Sequence, residues 1–431
     1  ALDCKINDIV EIVKNNFRIE EYTVKVAIID ADLIGCTKHR FPNLVCEKIS
    51  AYWKEKGAEV HLKLDYENLE MFDEVYISKV FTDTWVPEWI SQKVNMDKVT
   101  SNLPSNIHVG GTGFYFAKAP NLSDEIEHHM PDYHLYDEWI EEEVTKAECA
   151  AKAAGKNFNR KKFLIQFKEY TDYSIGFITR GCFRKCPFCV NQKYDHVFLH
   201  SPLEEFFDPS MKKICLLDDN FLGGPNWKNI LEELIATGKS FKFKQGMDER
   251  VLTDEKCELL FRANYDGDYT FAFDNISDYD LIHKQLRRIR KYTNAKNIKF
   301  YVLVGFESVD EKDIKNAFKR IELLMRFKCL PYIMRYQNRN VTPWKESKYR
   351  SMYVTLARWG NQPSIFKKMS FRQFCEANQA LHKTKGTLCS SMKAMNEFEK
   401  EFPDIAAKYF DLRFEDHYLE NEEEDKWNIK C

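Results

Sequence analysis

The chain has 431 residues, of which 44% are hydrophobic and 30% are charged. A chain of this length exceeds one ordinary hydrophobic core and predicts two or three globular domains. Its 64 basic and 67 acidic residues give a net charge of -3, so the overall charge does not attract nucleic acid.

Two further features limit the class of protein. No run approaches about 18 uninterrupted apolar residues, and the first residues lack the basic and apolar regions of a secretory signal. We therefore expect a cytoplasmic protein with no membrane partner. The 13 cysteines are odd in number and scattered, which favours reduced thiols or metal ligands over a disulfide framework.

Strands and helices alternate over the first part of the chain. Residues 24–30 form an apolar, β-branched run that ends in Asp30, which is typical of a buried parallel strand leading into a loop. A helix is predicted at 44–56, and further strands at 58–62, 74–81 and 107–109. The pattern predicts an open, Rossmann-like α/β domain over residues 1–118.

The alternation stops between residues 119 and 169, which we interpret as a linker or insertion. Residues 137–154 are polar and rich in alanine, and they predict a helix with Asp137 as its N-cap.

The alternation returns from residue 170. Strands are predicted at 173–179, 213–217, 241–244, 269–273, 299–304 and 330–334. Crossover helices, which neighbouring parallel strands require, are predicted at 227–236, 254–263, 278–292 and 309–327. Residues 170–345 thus predict an open or partial (β/α)6 barrel, followed by a helical region over 346–431 that ends in a solvated acidic tail at 420–425.

Three cysteines follow the first strand of this predicted barrel. Cys182, Cys186 and Cys189 have the spacing C-x3-C-x2-C, and three thiolates on one loop suit an iron–sulfur cluster or zinc. A closed zinc site needs a fourth ligand, and no second CxxC or CxxH follows nearby. Three ligands on a cluster leave one iron open. The alternatives are a small zinc knuckle or three incidental core cysteines.

The motif, with the aromatic Phe188 before its last cysteine, resembles the signature of the radical S-adenosylmethionine (SAM) superfamily. With the βα pattern, the resemblance spans about residues 170–345. It implies a [4Fe-4S] cluster on the three cysteines, SAM on the open iron, and an external one-electron donor such as flavodoxin or ferredoxin. It also implies an enzyme that cleaves SAM to a 5'-deoxyadenosyl radical, which takes hydrogen from a substrate.

Polar residues stand at the carboxyl ends of the predicted strands, where parallel α/β folds bind their ligands. The resemblance assigns the second strand end to the SAM amino group and the fifth to adenine. The third strand end suits the SAM carboxylate, and the fourth could bond ribose hydroxyls or donate to the substrate. Each residue could instead be a helix cap or a loop hydrogen bond. The candidate cofactor residues are Phe188, Asp218, Asp219, Asn220, Gln245, Arg250, Asp274, Asn275, Gly305 and Glu307, and the candidate substrate residues are Arg335 and Tyr336.

The first domain resembles the cobalamin-binding-like domain that precedes the barrel in one branch of the superfamily. Its Gly110-Gly-Thr-Gly113 segment could approach a phosphate or corrin tail, or could simply form a tight turn. The loop after its first strand lacks the Asp-x-His-x-x-Gly pattern of a cobalt ligand. Cys4, Cys36 and Cys46 are the candidates for an auxiliary cluster, although one or both of Cys36 and Cys46 could instead be buried small hydrophobic residues.

Other functions remain open at this stage. One is a cobalamin-dependent radical SAM methyltransferase, and another is a non-catalytic zinc or iron–sulfur module that binds RNA or protein. The substrate could be RNA, a peptide or protein, or a small molecule. A basic cluster at Lys284, Arg287, Arg288, Arg290 and Lys291 could bind nucleic acid, but we interpret it as the solvated face of an outer helix.

Overall fold

The computed structural model describes residues 22–36, 41–95, 98–294, 297–337, 342–384 and 386–416. These residues form two compact units that divide between Thr171 and Asp172. The division into four domains remains a prediction. Cys4, Cys431 and the acidic run at 420–425 lie outside the described residues.

The first unit is built on a four-stranded parallel sheet. Its strands are β1 (Lys25–Asp30), β2 (Glu59–Leu62), β3 (Glu74–Ser78) and β4 (Ile107–Gly110). They lie in the order β2-β1-β3-β4, and all neighbouring pairs are parallel. The third strand ends at Ser78 and not at Phe81 as predicted, because the amides of Val80 and Phe81 donate to the carboxylate of Asp32 instead of to the neighbouring strand.

Both faces of this sheet are buried, as the continuous apolar run of β1 predicts. Val26 and Ile28 pack on one face, in a cluster with helix residues such as Ile49 and Trp139. Ala27 and Ile29 pack in a second cluster on the other face. The longer helices of the unit are α1 (Ala31–Gly35), α2 (Leu44–Glu55) and α3 (Asp137–Ala153).

The caps of these helices differ in one respect from the prediction. Asn43 caps α2, and its side chain accepts from the amides of Val45 and Cys46. The N-cap of α3 is Tyr136, so Asp137 is the first helical residue and not the cap. The phenol of Tyr136 instead donates to Asp30 at the end of β1, 3.0 Å away.

The second unit contains six parallel strands in two sheets of three. They are β5 (Tyr173–Gly176), β6 (Lys213–Leu216), β7 (Ser240–Phe243), β8 (Tyr269–Ala272), β9 (Ile298–Val304) and β10 (Leu330–Arg335). The orders are β7-β6-β5 and β8-β9-β10. Hydrogen bonds from Asp266 to Phe241 (2.8 Å) and from Met247 to Thr270 (2.8 Å) connect the two sheets.

Crossover helices occupy the predicted segments, and side-chain caps fix where two of them, α5 and α7, begin. They are α4 (Trp227–Ala236), α5 (Asp254–Arg262), α6 (Tyr279–Tyr292) and α7 (Glu311–Arg326). Thr253 caps α5, Asp278 stands at the cap position of α6, and the Asp310 carboxylate accepts two amides at the start of α7. Serine, threonine and aspartate favour this position because their side chains accept from free amides of the first turn.

The helices after the last strand share one hydrophobic core with the sheets. These helices are α8 (Arg350–Gly360), α9 (Phe371–Ala380), α10 (Ser390–Glu401) and α11 (Pro403–Tyr409). Trp359 of α8 is completely buried and packs its ring against those of Phe318 and Phe371. The C-terminal helices are therefore part of the folded core of this unit.

The basic cluster on α6 is only partly a solvated face. Arg290 is buried and donates to the carbonyl oxygens of Thr293, Phe327 and Lys328, so for this residue the expectation of solvation is wrong. Arg288 donates to the carbonyl of Leu252. Within the described residues, no helix combines the length and apolar character needed to cross a membrane.

Shorter elements complete the fold. The short helices are Glu88–Ser91, Thr112–Tyr115, Asp124–Glu127, Arg160–Leu164, Lys168–Thr171, Pro343–Glu346 and Pro363–Phe366. The 3-10 turns are Leu69–Met71, Phe116–Lys118, Ile165–Phe167, Val190–Lys193, Leu203–Glu205, Phe221–Gly223, Glu249–Val251, Ile276–Asp278 and Phe414–Asp416. The two-residue antiparallel pairs are Val94–Asn95 with Thr100–Ser101 and Thr179–Arg180 with Phe198–Leu199.

Candidate active site

The three cysteines lie on a hairpin loop. The predicted strand 173–179 ends at Gly176, and Thr179–Arg180 then pairs antiparallel with Phe198–Leu199. Gly181, at φ +86°, begins the loop, and an added Cβ there would lie 2.4 Å from the carbonyl oxygen of His196. The two ends of the loop therefore lie close together, and only glycine fits its first position.

Hydrogen bonds within the loop hold its shape. The amide of Cys189 donates to the carbonyl of Cys186 (3.0 Å), and the side-chain amide of Gln192 donates to the same oxygen (2.9 Å). Lys185 donates to the carbonyls of Gln192 and Tyr194 at 2.8 and 2.6 Å. The cysteines are thus presented on a cross-braced segment.

The residues that follow β6 contact this loop through their side chains. Asp218 is buried and accepts from the amides of Ile178 and Thr179, at 3.3 and 2.7 Å, and from the Thr179 hydroxyl, at 2.6 Å. Burial raises the pKa of Asp218 to about 6, although these hydrogen bonds oppose the shift. Its neighbour Asp219 accepts from the amide of Gly181 (2.8 Å) and the side chain of Asn191 (2.6 Å).

Asn220 connects the cysteine loop to the end of β7. Its Nδ2 donates to the Sγ of Cys182 and to Asp248, each at 3.3 Å. Asp248 also accepts from the Nε atoms of Arg184 (2.9 Å) and Arg250 (2.7 Å). Burial alone would raise the pKa of Asp248, but the hydrogen bonds and charges of the two arginines hold it below its ordinary value.

The sulfur atoms receive N–H donors. The amide of Arg184 donates to Cys182 (3.3 Å), and the amide of Asn191 donates to Cys189 (3.4 Å). Burial raises the pKa of Cys186 and Cys189, while the charge of Arg250 opposes that shift at Cys186. Both thiols therefore hold their protons in the absence of a metal, and metal binding would displace them.

The donor set fits an iron–sulfur cluster. Thiolate sulfur is the usual ligand of iron–sulfur clusters, and N–H donors to these sulfur atoms, such as those to Cys182 and Cys189, are a usual means of tuning them. Cys182, Cys186 and Cys189 would be its ligands, with Arg184 and Arg250 offsetting negative charge.

A cavity lies beside the loop and is lined from three strand ends. Phe188 of the loop contacts Phe306 edge to face, with ring centroids 5.4 Å apart. The lining also includes Asp274 and Asn275 after β8 and Glu307 after β9. Asn275 donates to Glu307 at 2.6 Å. Four candidate cofactor residues are thus brought to one cavity: Phe188, Asp274, Asn275 and Glu307.

Arg320 of α7 supports this cavity from within the protein. Its guanidinium is buried and donates to the carbonyls of Phe273 (2.8 Å), Asp274 (2.7 Å) and Leu303 (2.9 Å), at the ends of β8 and β9. Burial raises the pKa of the Asp274 carboxyl to about 6, although the charge of Arg320 opposes the shift.

The remaining candidate residues differ in whether they contact the residues that line the cavity. The amide of Gly305, at φ +72°, donates to Asp313 (2.7 Å), and Tyr336 packs edge to face on Phe306. Arg335 is exposed and stacks over Trp344, 4.5 Å from the ring centroid. Gln245 is exposed, and no described contact brings it to the cavity.

The candidate sites of the first unit are explained by packing. An added Cβ at Gly111 would lie 2.2 Å from the carbonyl of Lys79, and the amide of Gly113 donates to the same oxygen. This glycine segment therefore forms a close turn against the residue after β3. Cys46 is buried in the core, where burial raises its pKa, while Cys36 is exposed.

Comparisons with known proteins give little further support. The chain matches no protein-family model and no curated protein sequence. One matching solved structure is described as the apo, selenomethionine-labelled cobalamin-dependent S-adenosylmethionine radical enzyme OxsB. That match is 13% identical, has a TM-score of 0.38, and covers 91% of this chain and 64% of the other, so this chain spans less than two thirds of that protein's length. A similarity this weak supports no inference about function.

Some residues of the site are not evident in the sequence. Arg320 and Asn191 act through contacts with strand ends or loops that are distant in sequence, and nothing in their local pattern marks them. The sequence gives a partial indication for Arg184, because this cation lies between two candidate cysteine ligands. Asp248 carries another, since it precedes the candidate Arg250 in the same turn.

Proposed function

We propose that this chain is a radical SAM enzyme, in which a [4Fe-4S] cluster is held by Cys182, Cys186 and Cys189. Such a cluster, when bound, supplies the electron that splits SAM into methionine and a 5'-deoxyadenosyl radical, which abstracts hydrogen from the substrate. The proposal includes SAM and an external one-electron donor such as flavodoxin or ferredoxin. Its substrate class is open.

One observation carries the proposal. Phe188 belongs to the cysteine loop, and it lines one cavity together with Asp274, Asn275 and Glu307 from two other strand ends. A cofactor that contacts the loop and also needs hydroxyl-binding groups would fit beside it. Carboxylate and amide groups there can accept from and donate to ribose hydroxyls.

The surrounding residues would orient the ligand. Phe306 lies between Phe188 and Tyr336 and offers an apolar surface for a base. The hydrogen bond from Asn275 fixes Glu307, and Arg320 fixes the backbone that carries Asp274. Tyr336, which packs on Phe306, and the exposed Arg335 are the residues that we propose for substrate contact.

The arrangement of strands supports a partial (β/α)6 barrel. Six parallel strands follow one another in sequence order within their sheets, and hydrogen bonds connect the third strand region to the fourth. All the candidate residues named above follow the carboxyl ends of these strands or lie on the cysteine loop. Ligand binding at that edge is the general behaviour of parallel α/β folds.

Cobalamin is not part of the proposal. The glycine segment after β4 is explained by its close approach to Lys79, so this segment gives no support for a corrin ligand. The methyltransferase alternative therefore has no specific support, and neither does binding of RNA through α6, where Arg288 and Arg290 donate to backbone carbonyls.

The test begins with anaerobic reconstitution of the chain with iron and sulfide. Iron, sulfide and zinc are measured per chain, then SAM and dithionite are added and 5'-deoxyadenosine is quantified. We expect about four irons per chain and formation of 5'-deoxyadenosine. Cys186→Ala should abolish formation, whereas Cys149→Ala, at an exposed cysteine of α3, should leave it unchanged.

Two results would contradict the proposal. A fully loaded cluster that never cleaves SAM would refute the catalytic part. One tightly bound zinc with no cluster would instead support the RNA- or protein-binding module.

A further inference from the structure

We propose that Asp219 is a positioning residue of the cysteine loop and not a ligand of the SAM amino group. The inference rests on the proposed function, because it concerns how the loop is held for a cluster. It departs from the expectation drawn from the resemblance, which assigns the end of β6 to SAM.

Both oxygens of the Asp219 carboxylate already bind the loop. One accepts from the amide of Gly181, directly before the first cysteine, and the other from the side chain of Asn191, two residues after the last. The donors are 38 and 28 residues from Asp219 in sequence. A single carboxylate therefore fixes the two ends of the segment that carries all three thiols.

The residues on either side of Asp219 also contact the cysteine loop or the backbone just before it. Asp218 binds the backbone just before the loop, and Asn220 donates to Cys182. Consecutive side chains after a strand thus all contact one loop. Within this segment, only Oδ1 of Asn220 is a buried side-chain oxygen without a hydrogen-bond partner in the described structure.

This arrangement predicts an effect on cluster retention. Hydrogen bonds to an ionised carboxylate are stronger than those between neutral groups, and residues that orient metal ligands typically affect metal affinity by roughly 10- to 100-fold. Each oxygen already accepts from a loop donor, so an amino group on Asp219 would have to share an oxygen with Gly181 or Asn191. Loss of Asp219 should therefore loosen the cluster and leave the affinity for SAM intact.

The experiment compares wild type and Asp219→Asn after anaerobic reconstitution. Asparagine has one carbonyl oxygen and one NH2 group, so it cannot accept from both donors. We expect release of iron to a chelator to accelerate roughly 10- to 100-fold, with an altered electron paramagnetic resonance signal of the reduced cluster. The dissociation constant for SAM, measured on the fraction still loaded, should not change.

Asp280→Asn is the matched control, because it makes the same change at an exposed position of α6, away from the cysteine loop in sequence. Iron release from this variant should equal that of the wild type.

Asn191→Ala guards against a folding defect in Asp219→Asn. This substitution removes the side-chain amide of the partially exposed Asn191, which is one of the two donors to Asp219. It should also accelerate iron release. If both variants keep the cluster like the wild type while Asp219→Asn weakens SAM binding, the inference is overturned and Asp219 is a SAM ligand. A wild-type chain that takes up no cluster would refute the proposed function itself, and that measurement comes first.

Discussion

Two adjacent acidic residues after β7 have opposite protonation behaviour. Asp248 is paired with Arg184 and Arg250, which keep it ionised. Glu249 is buried, one of its oxygens accepts from the amide of Ala272, and the other has no hydrogen-bond partner. Burial therefore raises the pKa of Glu249 to about 8, with the charge of Asp248 adding to the shift.

Glu249 should make the stability of the second unit depend on pH. Its folded pKa of about 8 lies above the ordinary 4.5, so the folded chain keeps a proton that the unfolded chain releases. This contribution to stability is fully present below about pH 4.5 and is lost as the pH rises to about 8. Glu249→Gln, which cannot ionise, should raise the free energy of unfolding at pH 8 by about 1 to 3 kcal/mol, with little effect at pH 4.5.

Urea unfolding followed by circular dichroism at both pH values measures this difference. Glu255→Gln, at an exposed residue of α5 that pairs with Lys228, is the control and should leave the pH dependence as in the wild type. An unchanged pH dependence in Glu249→Gln would show that this carboxyl ionises normally in the folded chain.

At the scale of secondary-structure elements, helix α7 connects two strands and also supports the backbone at the cavity. Its Arg320 joins the ends of β8 and β9 by donating to carbonyls on both. Its N-terminal turn carries Asp313, which accepts from the amide of Gly305 at the cavity. One helix thus fixes the backbone at two of the strand ends that line the cavity.

Arg320→Lys tests this role. Lysine keeps the charge, but its single ammonium cannot reproduce the planar set of donors, so buried carbonyls lose their partners. We expect the free energy of unfolding to fall by about 1 to 3 kcal/mol and SAM binding to the loaded protein to weaken. Lys315→Arg, on an exposed position of the same helix, should change neither quantity.

Most helices and strands could be predicted from local sequence, but the side-chain contacts made by the residues at their ends could not. The strands of both units are short apolar runs, and Thr253 and Asp310 mark helix starts by ordinary capping chemistry. The side chains of Asp218 and Asp219 are different, because nothing local says whether a carboxylate faces a ligand or a neighbouring loop. Tyr136 shows the same limit, since its distant partner Asp30 fixes its place at the cap of α3.

At the scale of the whole molecule, the C-terminal helices belong to the core of the second unit. Phe318 of α7 packs against Trp359 of α8 and against Tyr409 and Phe410 at the end of α11. The same hydrophobic cluster extends into the strands that present the candidate site. The site therefore depends on residues far beyond the predicted barrel boundary at 345.

Truncation should show this dependence. A chain that ends at residue 345 exposes the apolar surface of α7 and should lose the unfolding transition of the second unit. The milder change Trp359→Ala should lower the free energy of unfolding by about 3 to 5 kcal/mol. Thermal melts of the two variants provide the measurement, and a second unit that stays folded in the chain ending at 345 would contradict the interpretation.

The contacts of the cysteine loop also set an order of assembly during synthesis. Its partners Asp218, Asp219 and Asn220 follow it within about 40 residues, as the separations of these hydrogen bonds show. The cavity needs Glu307 and Arg320, which are made much later. Once residue 220 has been synthesised, most of the residues that contact the loop are therefore present in the nascent chain. The set of residues that lines the cavity beside the loop is not yet complete.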